Sequence, residues 1–240
     1  MGRVQAEDHH LKREAILGQA ARLFADGGFA GTSMNAIAAA CGVSKALLYH
    51  YYPSKEAILD DILVSHLDRL ITATEGVAAR PLPPAERLEA LSIALLEAYR
   101  DADAHHRVQL NDLERLPPDR QEALRGMERR LVRVFAAALA DVHPHLAGRP
   151  ELLKPLTMSL FGMLNWQYLW FREDGPLSRD DYGRLATRLV VAGAPGADAA
   201  LPGGSRPAPA GAGRPRAGRG THGGNGAADG DAAHRPGKTR

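Results

Sequence analysis

Residues 37–56 read IAAACGVSKALLYHYYPSKE, and the spacing of three residues in this stretch predicts a helix-turn-helix. Ala38 is small enough to let two helices cross closely. Gly42, four residues later, suits a turn that requires positive φ. Leu48 follows six residues after Gly42 and supplies an apolar side chain with which the second helix can pack back. The stretch therefore predicts a sharp two-helix corner.

Capping residues and helix breakers mark the helices around this corner. A first helix is predicted over residues 11–26, because its apolar residues recur at helical spacing and two glycines follow it. Pro53 prevents the helix that contains Leu48 from continuing. Residues of the type that cap helix N-termini predict a short second helix, a short third helix and a fourth that ends near residue 77. These candidate caps are Thr32, Ser33, Ser44 and Ser54.

Three tyrosines and one histidine occupy residues 49–52 of a chain in which only 5% of residues are aromatic. Consecutive residues point around most of a helix, so part of this group must face outward. If Leu48 faces the core, the outward side can enter a major groove, with basic and small side chains toward base edges and hydroxyls toward phosphates. The outward residues are then Lys45, Ala46, Tyr49 and His50. Lys55 begins the next helix, whose N-terminus favours phosphate.

Residues 13–63 resemble the DNA-binding domain of TetR/AcrR-type regulators. The pattern that carries the resemblance comprises Ile37-Ala38, Gly42-Val43-Ser44, Leu48-Tyr49, Tyr51-Tyr52 and Ser54-Lys55-Glu56. This family usually has phenylalanine at the position of Tyr52. The tyrosine still provides an aromatic packing group.

The resemblance implies specific contacts with a DNA duplex. Phosphate contacts are implied for Thr32 or Ser33, Tyr49, Tyr51 and Lys55. Base contacts are implied for Lys45, Ala46 and His50, with Met34 or Asn35 at the edge of the groove and Ser44 at the cap of the reading helix. For Tyr51 a core position is an equally good interpretation.

The rest of the chain predicts a helical bundle and then a tail, so the predicted fold class is all-α. Helical patterns recur between proline clusters, and no alternating run of β-branched residues predicts a strand. The predicted helices cover residues 83–102, 117–142, 150–172 and 178–193. The predicted organisation is a helix-turn-helix domain (1–56), an effector-binding and dimerisation domain (57–193) and a disordered tail (194–240) rich in Gly, Pro and Ala.

The segment 152–171 is apolar on nearly every side, which predicts burial on several faces. Because one protomer has too little surface to cover it, we expect a homodimer. The family resemblance implies the same, since such regulators dimerise through their last two long helices. A two-fold dimer would place paired reading helices one DNA turn apart on a palindromic operator.

An effector site is expected inside the bundle, although ordinary core packing is the competing interpretation for most candidate residues. These candidates are Tyr99, His106, Leu110, Asn111, Phe135, Met158, Met163, Trp166 and Tyr168. The segment from residue 152 to 178 is similar to regulators of fatty-acid and aromatic-acid catabolism, some of which sense CoA thioesters. The candidate effectors are therefore small hydrophobic molecules and acyl- or aryl-CoA thioesters. Neither a metal nor a cofactor is expected.

Composition and motifs argue against other classes of protein. The net charge is +2 and residues 194–240 contribute +4, so the remainder lacks the basic surface of an architectural DNA-binding protein. No phosphate-binding loop, G-x-S-x-G or H-E-x-x-H motif indicates an enzyme. A single cysteine, Cys41, and the lack of a membrane-spanning apolar run predict a cytoplasmic protein. The sequence thus predicts a ligand-responsive repressor, with a transcriptional activator of the same family as the alternative.

Overall fold

A computed structural model describes the backbone of residues 2–200 and the side chains of residues 9–197. As predicted, this part of the chain is all-helical and contains no strand. It forms nine α-helices: α1 (Gly2–Gly27), α2 (Met34–Ala40), α3 (Lys45–Tyr51), α4 (Lys55–Ala78), α5 (Pro84–Tyr99), α6 (Asp103–Asp112), α7 (Pro118–Val142), α8 (Pro150–Asn165) and α9 (Arg179–Ala200). Short 3-10 helices occupy Leu113–Arg115, Pro144–Gly148 and Trp166–Leu169. None of the helices described is both long and apolar enough to cross a membrane.

Side-chain caps begin three of the N-terminal helices, as the sequence predicts. Ser33, Ser44 and Ser54 each accept a hydrogen bond at their hydroxyl oxygen from the backbone N–H three residues later. These bonds are 3.1, 3.1 and 3.3 Å long, and they satisfy backbone donors that the first turn of a helix leaves without a partner. The starts of α2, α3 and α4 are therefore fixed by local chemistry.

The ends of the chain's helical part differ from the sequence prediction. Helix α1 begins at Gly2, nine residues before the predicted start, because polar residues continue the helix beyond its apolar stripe. Helix α9 continues to Ala200, although residues 194–200 were predicted to belong to the tail. The alanines in this segment favour helix and offset its proline, Pro195. Residues 201–240 of the predicted tail lie outside the described residues.

Two differences occur inside the bundle. Helix α6 has no counterpart in the prediction, because its sequence DAHHRVQLND has too few apolar residues to show a periodic stripe. The predicted helix over 150–172 ends at Asn165 and is followed by the 3-10 helix Trp166–Leu169. The connection between α8 and α9 is thus longer than predicted.

The N-terminal helices share their hydrophobic core with parts of the bundle. Leu48 of α3 and Ile37 of α2 are completely buried beside the first half of α4. The same core includes Val108 of α6, Leu116 from the connection before α7, and Leu124 of α7. Packing is therefore continuous across the predicted domain boundary at residues 56 and 57.

A second core fills the space among the second half of α4 and helices α5, α7, α8 and α9. Its largest fully buried side chain is Phe135, which lies 4.8 Å from Phe161 between ring centroids. The segment 152–171 contributes Leu160 and Leu164 to this core. Within the single chain this segment is not buried on several faces, because four of its large apolar side chains are 46–61% exposed. These are Met158, Trp166, Leu169 and Trp170.

A polar network ties the end of α3 to helices α1 and α4. Arg13 of α1 donates two hydrogen bonds to the Asp61 carboxylate of α4, at 2.8 and 2.6 Å. The phenol of Tyr52, which follows α3, donates to the same carboxylate and accepts from Arg13 at 3.3 Å. Burial and the hydrogen bond with Asp61 raise the pKa of Tyr52 well above its ordinary value. Tyr52 is thereby a buried anchor for α3.

Three histidines form a cluster where α4, α5 and α6 meet. The ring of His66 lies 6.0–6.1 Å from the rings of His105, His106 and Tyr99, measured between centroids. Burial lowers the pKa of His105 and of His106 to about 4, and it lowers that of His66 well below its ordinary value. The cluster is therefore neutral at pH 7.

We expect the free energy of unfolding to fall as the pH is lowered from 6.5 to 4.5, by on the order of 1–2 kcal/mol for each histidine of the cluster. The sign follows from the lowered pKa values, because the unfolded chain binds more protons than the folded chain throughout this range. Urea unfolding at a series of pH values measures the slope.

His105→Gln should flatten that slope, whereas His145→Gln, a change at an exposed histidine, should leave it unchanged. Equal slopes in the wild type and in His105→Gln would contradict the burial of the cluster as the cause.

Candidate nucleic-acid interface

The turn between α2 and α3 has the geometry that a helix-turn-helix requires. Gly42 has a φ of +64°, a conformation that side chains other than glycine rarely adopt. The next residue, Val43, donates its backbone N–H to the Ala38 carbonyl at 3.0 Å and closes the end of α2. Ala38 is buried at the crossing of the two helices. The turn thus fixes the direction in which α3 leaves α2.

One side of α3 is buried and the other is free. Leu48 is completely buried and points into the core, as the sequence predicts. The predicted reading residues Lys45, Ala46, Tyr49 and His50 are all exposed. The Lys45 ammonium lies 5.8 Å from the centroid of the Tyr49 ring, and it makes no ion pair with any side chain that the structure describes. This free side combines one cation, two aromatic rings and a small residue.

The residues around α3 divide between the surface and the interior. Ser33, Asn35 and Ser44 are exposed, and Met34 is partly buried against the N-terminal core. The Ser33 and Ser44 oxygens accept cap hydrogen bonds, which leaves the hydroxyl protons available to donate to a phosphate.

Thr32 has a structural role that sequence reasoning did not assign. Its side chain is buried, and its hydroxyl lies 2.9 Å from the Gly28 carbonyl and 3.2 Å from the Leu23 carbonyl, to which it can donate. The hydroxyl faces the end of α1, so it is not presented to a DNA phosphate in this structure. Of the implied pair Thr32 or Ser33, only Ser33 is presented on the surface.

Lys55 also contacts the protein itself. Its ammonium donates to the backbone carbonyls of Phe29 at 2.8 Å and Thr32 at 3.3 Å, and it lies 4.4 Å from the centroid of the Phe29 ring. These contacts join the start of α4 to the loop between α1 and α2. The contact of Lys55 with phosphate remains a prediction, and the structure adds this bridging role to it.

Tyr51 lies between the surface and the core. It is half-buried, its ring stacks on His9 of α1 at 4.7 Å between centroids, and the edge of His50 approaches it at 5.9 Å. Both interpretations from the sequence therefore stay open for this residue.

The candidate effector residues of the bundle do not form one group. Tyr99 and His106 lie 4.5 Å apart between ring centroids, and both are hydrogen-bonded to Asn165 at the end of α8. Tyr168 contacts His106 at 5.5 Å and Trp166 at 6.3 Å between centroids. These four residues make an aromatic group at the junction of α5, α6 and the 3-10 helix that follows α8.

The other candidates lie elsewhere. Phe135 belongs to the second core, and Met163 packs against that core. Leu110, Asn111 and Met158 are exposed. Among the described side chains, no three His, Cys, Asp or Glu residues are arranged to hold a metal ion.

A cleft between α1 and α4, closed at one end by α6, is a feature that sequence reasoning missed. Its volume is about 720 Å³. We call it the α1–α4 cleft and define it by its lining residues. The lining comprises His10, Arg13, Glu14, Leu17, Gly18, Ser65, His66, Asp68, Arg69, Thr72, Ala73 and His105. These residues are far apart in the sequence, so no local pattern could have revealed the cleft.

Two family models match the described part of the chain. Residues 16–62 match the model of bacterial regulatory proteins of the tetR family, and residues 81–194 match that of the tetracyclin repressor-like C-terminal domain. The HTH-type transcriptional repressor KstR2 of Mycolicibacterium smegmatis is 27% identical over 188 residues, covering 76% of this chain and 90% of the relative.

Solved structures of similar fold agree with these matches. A TetR-family transcriptional regulator from Bordetella parapertussis 12822 is 36% identical with a TM-score of 0.70, covering 74% of this chain and 93% of the regulator. AibR, solved in complex with isovaleryl coenzyme A and operator DNA, is 28% identical with a TM-score of 0.64, covering 74% of this chain and 97% of AibR. Regulators of this family bind DNA and are not enzymes. The chain, with its exposed α3 and its all-helical bundle, belongs to the TetR family of transcriptional regulators.

Proposed function

We propose that the chain is a homodimeric cytoplasmic repressor that binds a palindromic operator and leaves it when a small effector binds. The observation that carries this proposal is the division of α3 into a buried side, fixed by Leu48, and a free side that presents Lys45, Tyr49 and His50. A short, polar, exposed helix held rigidly by a neighbouring helix is the element that such proteins insert into the major groove.

The free side of α3 suggests how contacts divide between bases and phosphates. Lys45 and Ala46 lie in the first turn of α3, the part of a reading helix that meets base edges. Tyr49 and Ser33 are both exposed, and their hydroxyls are suited to phosphate oxygens. We assign sequence preference chiefly to Lys45 and orientation on the duplex chiefly to the hydroxyl groups.

Exposed apolar residues on the last two helices support the homodimer. Leu185 and Leu189 are one turn apart on α9 and are 46% and 56% exposed. On α8 and the 3-10 helix after it, Met158 and Trp166 are exposed to a similar extent. Exposed apolar surface of this kind is commonly covered by a partner, and a second copy would cover the same face on both protomers.

The effector is proposed to be a small hydrophobic molecule or an acyl- or aryl-CoA thioester. The complex of AibR with isovaleryl coenzyme A and operator DNA supports this class, because the AibR structure covers 74% of this chain with a TM-score of 0.64. Within the bundle, the group formed by Tyr99, His106, Trp166 and Tyr168 offers aromatic surfaces next to polar ring nitrogens and hydroxyls.

Helix α4 is the element through which an effector would act on α3. Its N-terminal half joins the DNA-binding helices through Asp61 and Arg13, and its far end joins α7 through an ion pair of Glu75 with Arg130 at 2.6 Å. Asp60, the neighbour of Asp61, joins the N-terminal half of α4 to Arg120, which also lies on α7, at 2.6 Å. A shift of α4 within the bundle would therefore move α3, with a coupling free energy of about 1–3 kcal/mol.

Lys45→Ala should relax sequence preference at one operator position by about 1–3 kcal/mol, because its ammonium would no longer contact a base edge. Fluorescence anisotropy with the preferred site and its single-base variants measures the preference. Arg133→Ala, which removes an exposed cation on α7, is the matched control. An unchanged preference in Lys45→Ala would show that α3 faces the duplex differently.

Lys55→Ala should weaken binding to all sites evenly and reduce the dependence of affinity on salt concentration, because one phosphate contact is lost. Since Lys55 also bridges the loop after α1, the melting temperature of the variant must be measured beside its affinity. A lower melting temperature with an unchanged salt dependence would assign Lys55 a structural role alone.

Leu185→Glu combined with Leu189→Glu should convert the dimer to a monomer and lower operator affinity at least tenfold, because two carboxylates would be buried at the interface. Sedimentation velocity gives the oligomeric state. Leu11→Glu, at a residue that is 60% exposed on α1, is the control and should remain dimeric. A dimeric double variant would place the interface elsewhere.

A further inference from the structure

The α1–α4 cleft holds a cation without a carboxylate partner. Arg69 of α4 contacts His66 Nδ1 through its guanidinium at 3.3 Å, and no described carboxylate lies within ion-pair distance of it. Arg13, the other arginine in the cleft, is already bonded to Asp61 and Tyr52. Arg69 is an exposed side chain; desolvation lowers its pKa, and the negative charge of Glu14 opposes that shift.

The two acidic residues of the cleft lining, Glu14 and Asp68, make no ion pair with Arg69 in this structure. Glu14 lies 3.6 Å from His10 on the next turn of α1. Asp68 is exposed and favours the charged form of Arg130 on α7. The positive charges of Arg69 and Arg22 also act on His105, where they add to burial in lowering its pKa. Arg13 and Arg69 are thus matched in number by Glu14 and Asp68 along the lining, and Arg69 is the lining arginine that has no carboxylate within ion-pair distance among the described residues.

Two imidazoles on this wall have buried ring nitrogens that make no hydrogen bond with the described residues. They are Nε2 of His66, a residue that is 1% exposed, and Nδ1 of His105. Because the Arg69 guanidinium donates to Nδ1 of His66, the neutral ring carries its proton on Nε2 and is a donor there. Both nitrogens are buried, so the polar group that a ligand in the cleft can reach is the exposed guanidinium of Arg69.

We propose that the α1–α4 cleft is a second effector site, separate from the aromatic group of the bundle, and that it binds a compact amphipathic monocarboxylate. The planar guanidinium of Arg69 matches a carboxylate in two parallel hydrogen bonds. One free guanidinium suits a single negative charge rather than a phosphate or pyrophosphate. Leu17, Gly18 and Ala73 supply the apolar sides of the cleft for the hydrocarbon part.

Binding at this place would act on DNA recognition directly, a consequence that rests on the proposed repressor function. The cleft joins α1, which carries part of the DNA-binding core, to α4 and to His105 of α6. A ligand that contacts both sides would fix the angle between α1 and α4 and so the position of α3. The site is also next to Asp61 and Arg13, which anchor the end of α3.

Isothermal titration calorimetry with the full chain and without DNA tests the site. The probes are butyrate, octanoate, benzoate and phenylacetate, with inorganic sulfate at equal ionic strength as the comparison. We expect octanoate, benzoate or phenylacetate to bind with a Kd between about 1 μM and 1 mM, and sulfate to bind at least tenfold more weakly. Absence of binding by all four carboxylates, or equal binding of sulfate, would overturn the proposal.

Three variants separate the cleft from other anion sites. Arg69→Gln should weaken carboxylate binding at least tenfold, while Arg69→Lys should retain part of it. Arg125→Gln, at an exposed arginine of α7 outside the cleft, should bind like the wild type. Binding that is unaffected by Arg69→Gln would overturn the assignment of this residue.

Gly18→Leu offers a test that does not depend on removing a charge. A Cβ at Gly18 would meet only the far end of Arg22, at 3.9 Å, and Gly18 lines the cleft, so we expect a leucine there to occupy part of its volume. Leucine also favours helix more than glycine does, so the melting temperature should not fall. We expect the variant to lose carboxylate binding and to keep an unchanged affinity for DNA in the absence of ligand.

Failure of the wild type to bind DNA would instead contradict the proposed repressor function, whatever the calorimetry shows.

Discussion

The structure depends on how a seven-residue helix is held at both ends. An isolated helix of fewer than about 12 residues is marginal in water, so α3 exists because its surroundings stabilise it. The Ser44 cap fixes its start, Leu48 buries its inner side, and Tyr52 joins its end to Asp61 and Arg13. Because these contacts involve only one side of α3, the opposite side remains exposed and available to a DNA duplex.

The same contacts make the DNA-binding helices part of the bundle rather than an independent unit. Asp61 lies on α4, whose remaining length packs against α5 and α7. On the other side, Arg107 of α6 donates to the Ala25 carbonyl at 2.6 Å and joins the bundle to the end of α1. Any ligand that displaces α4 or α6 therefore changes the surroundings of α3. In the proposed mechanism, this continuity is the route by which binding in the bundle, or in the α1–α4 cleft, would alter operator affinity.

The sequence predicted most of the N-terminal fold because the signals there are local. Serine caps, Gly42 and the spacing to Leu48 each specify a backbone conformation within a few residues. Helix α6 escaped prediction because tertiary contacts, such as those of buried His106 and Val108, stabilise a segment with little apolar periodicity. The sequence also did not predict that Thr32 points inward or that Lys55 donates to backbone carbonyls. Both features arise from contacts with other parts of the fold.

The central claim is that a pair of identical α3 helices reads an inverted repeat. Selection from a random duplex library with the purified full chain, followed by sequencing of the bound fraction, tests it most directly. The account predicts enrichment of a palindromic site whose two half-sites bind with the salt dependence expected of several phosphate contacts. Enrichment of no motif, or of a single half-site without a symmetric partner, would contradict it.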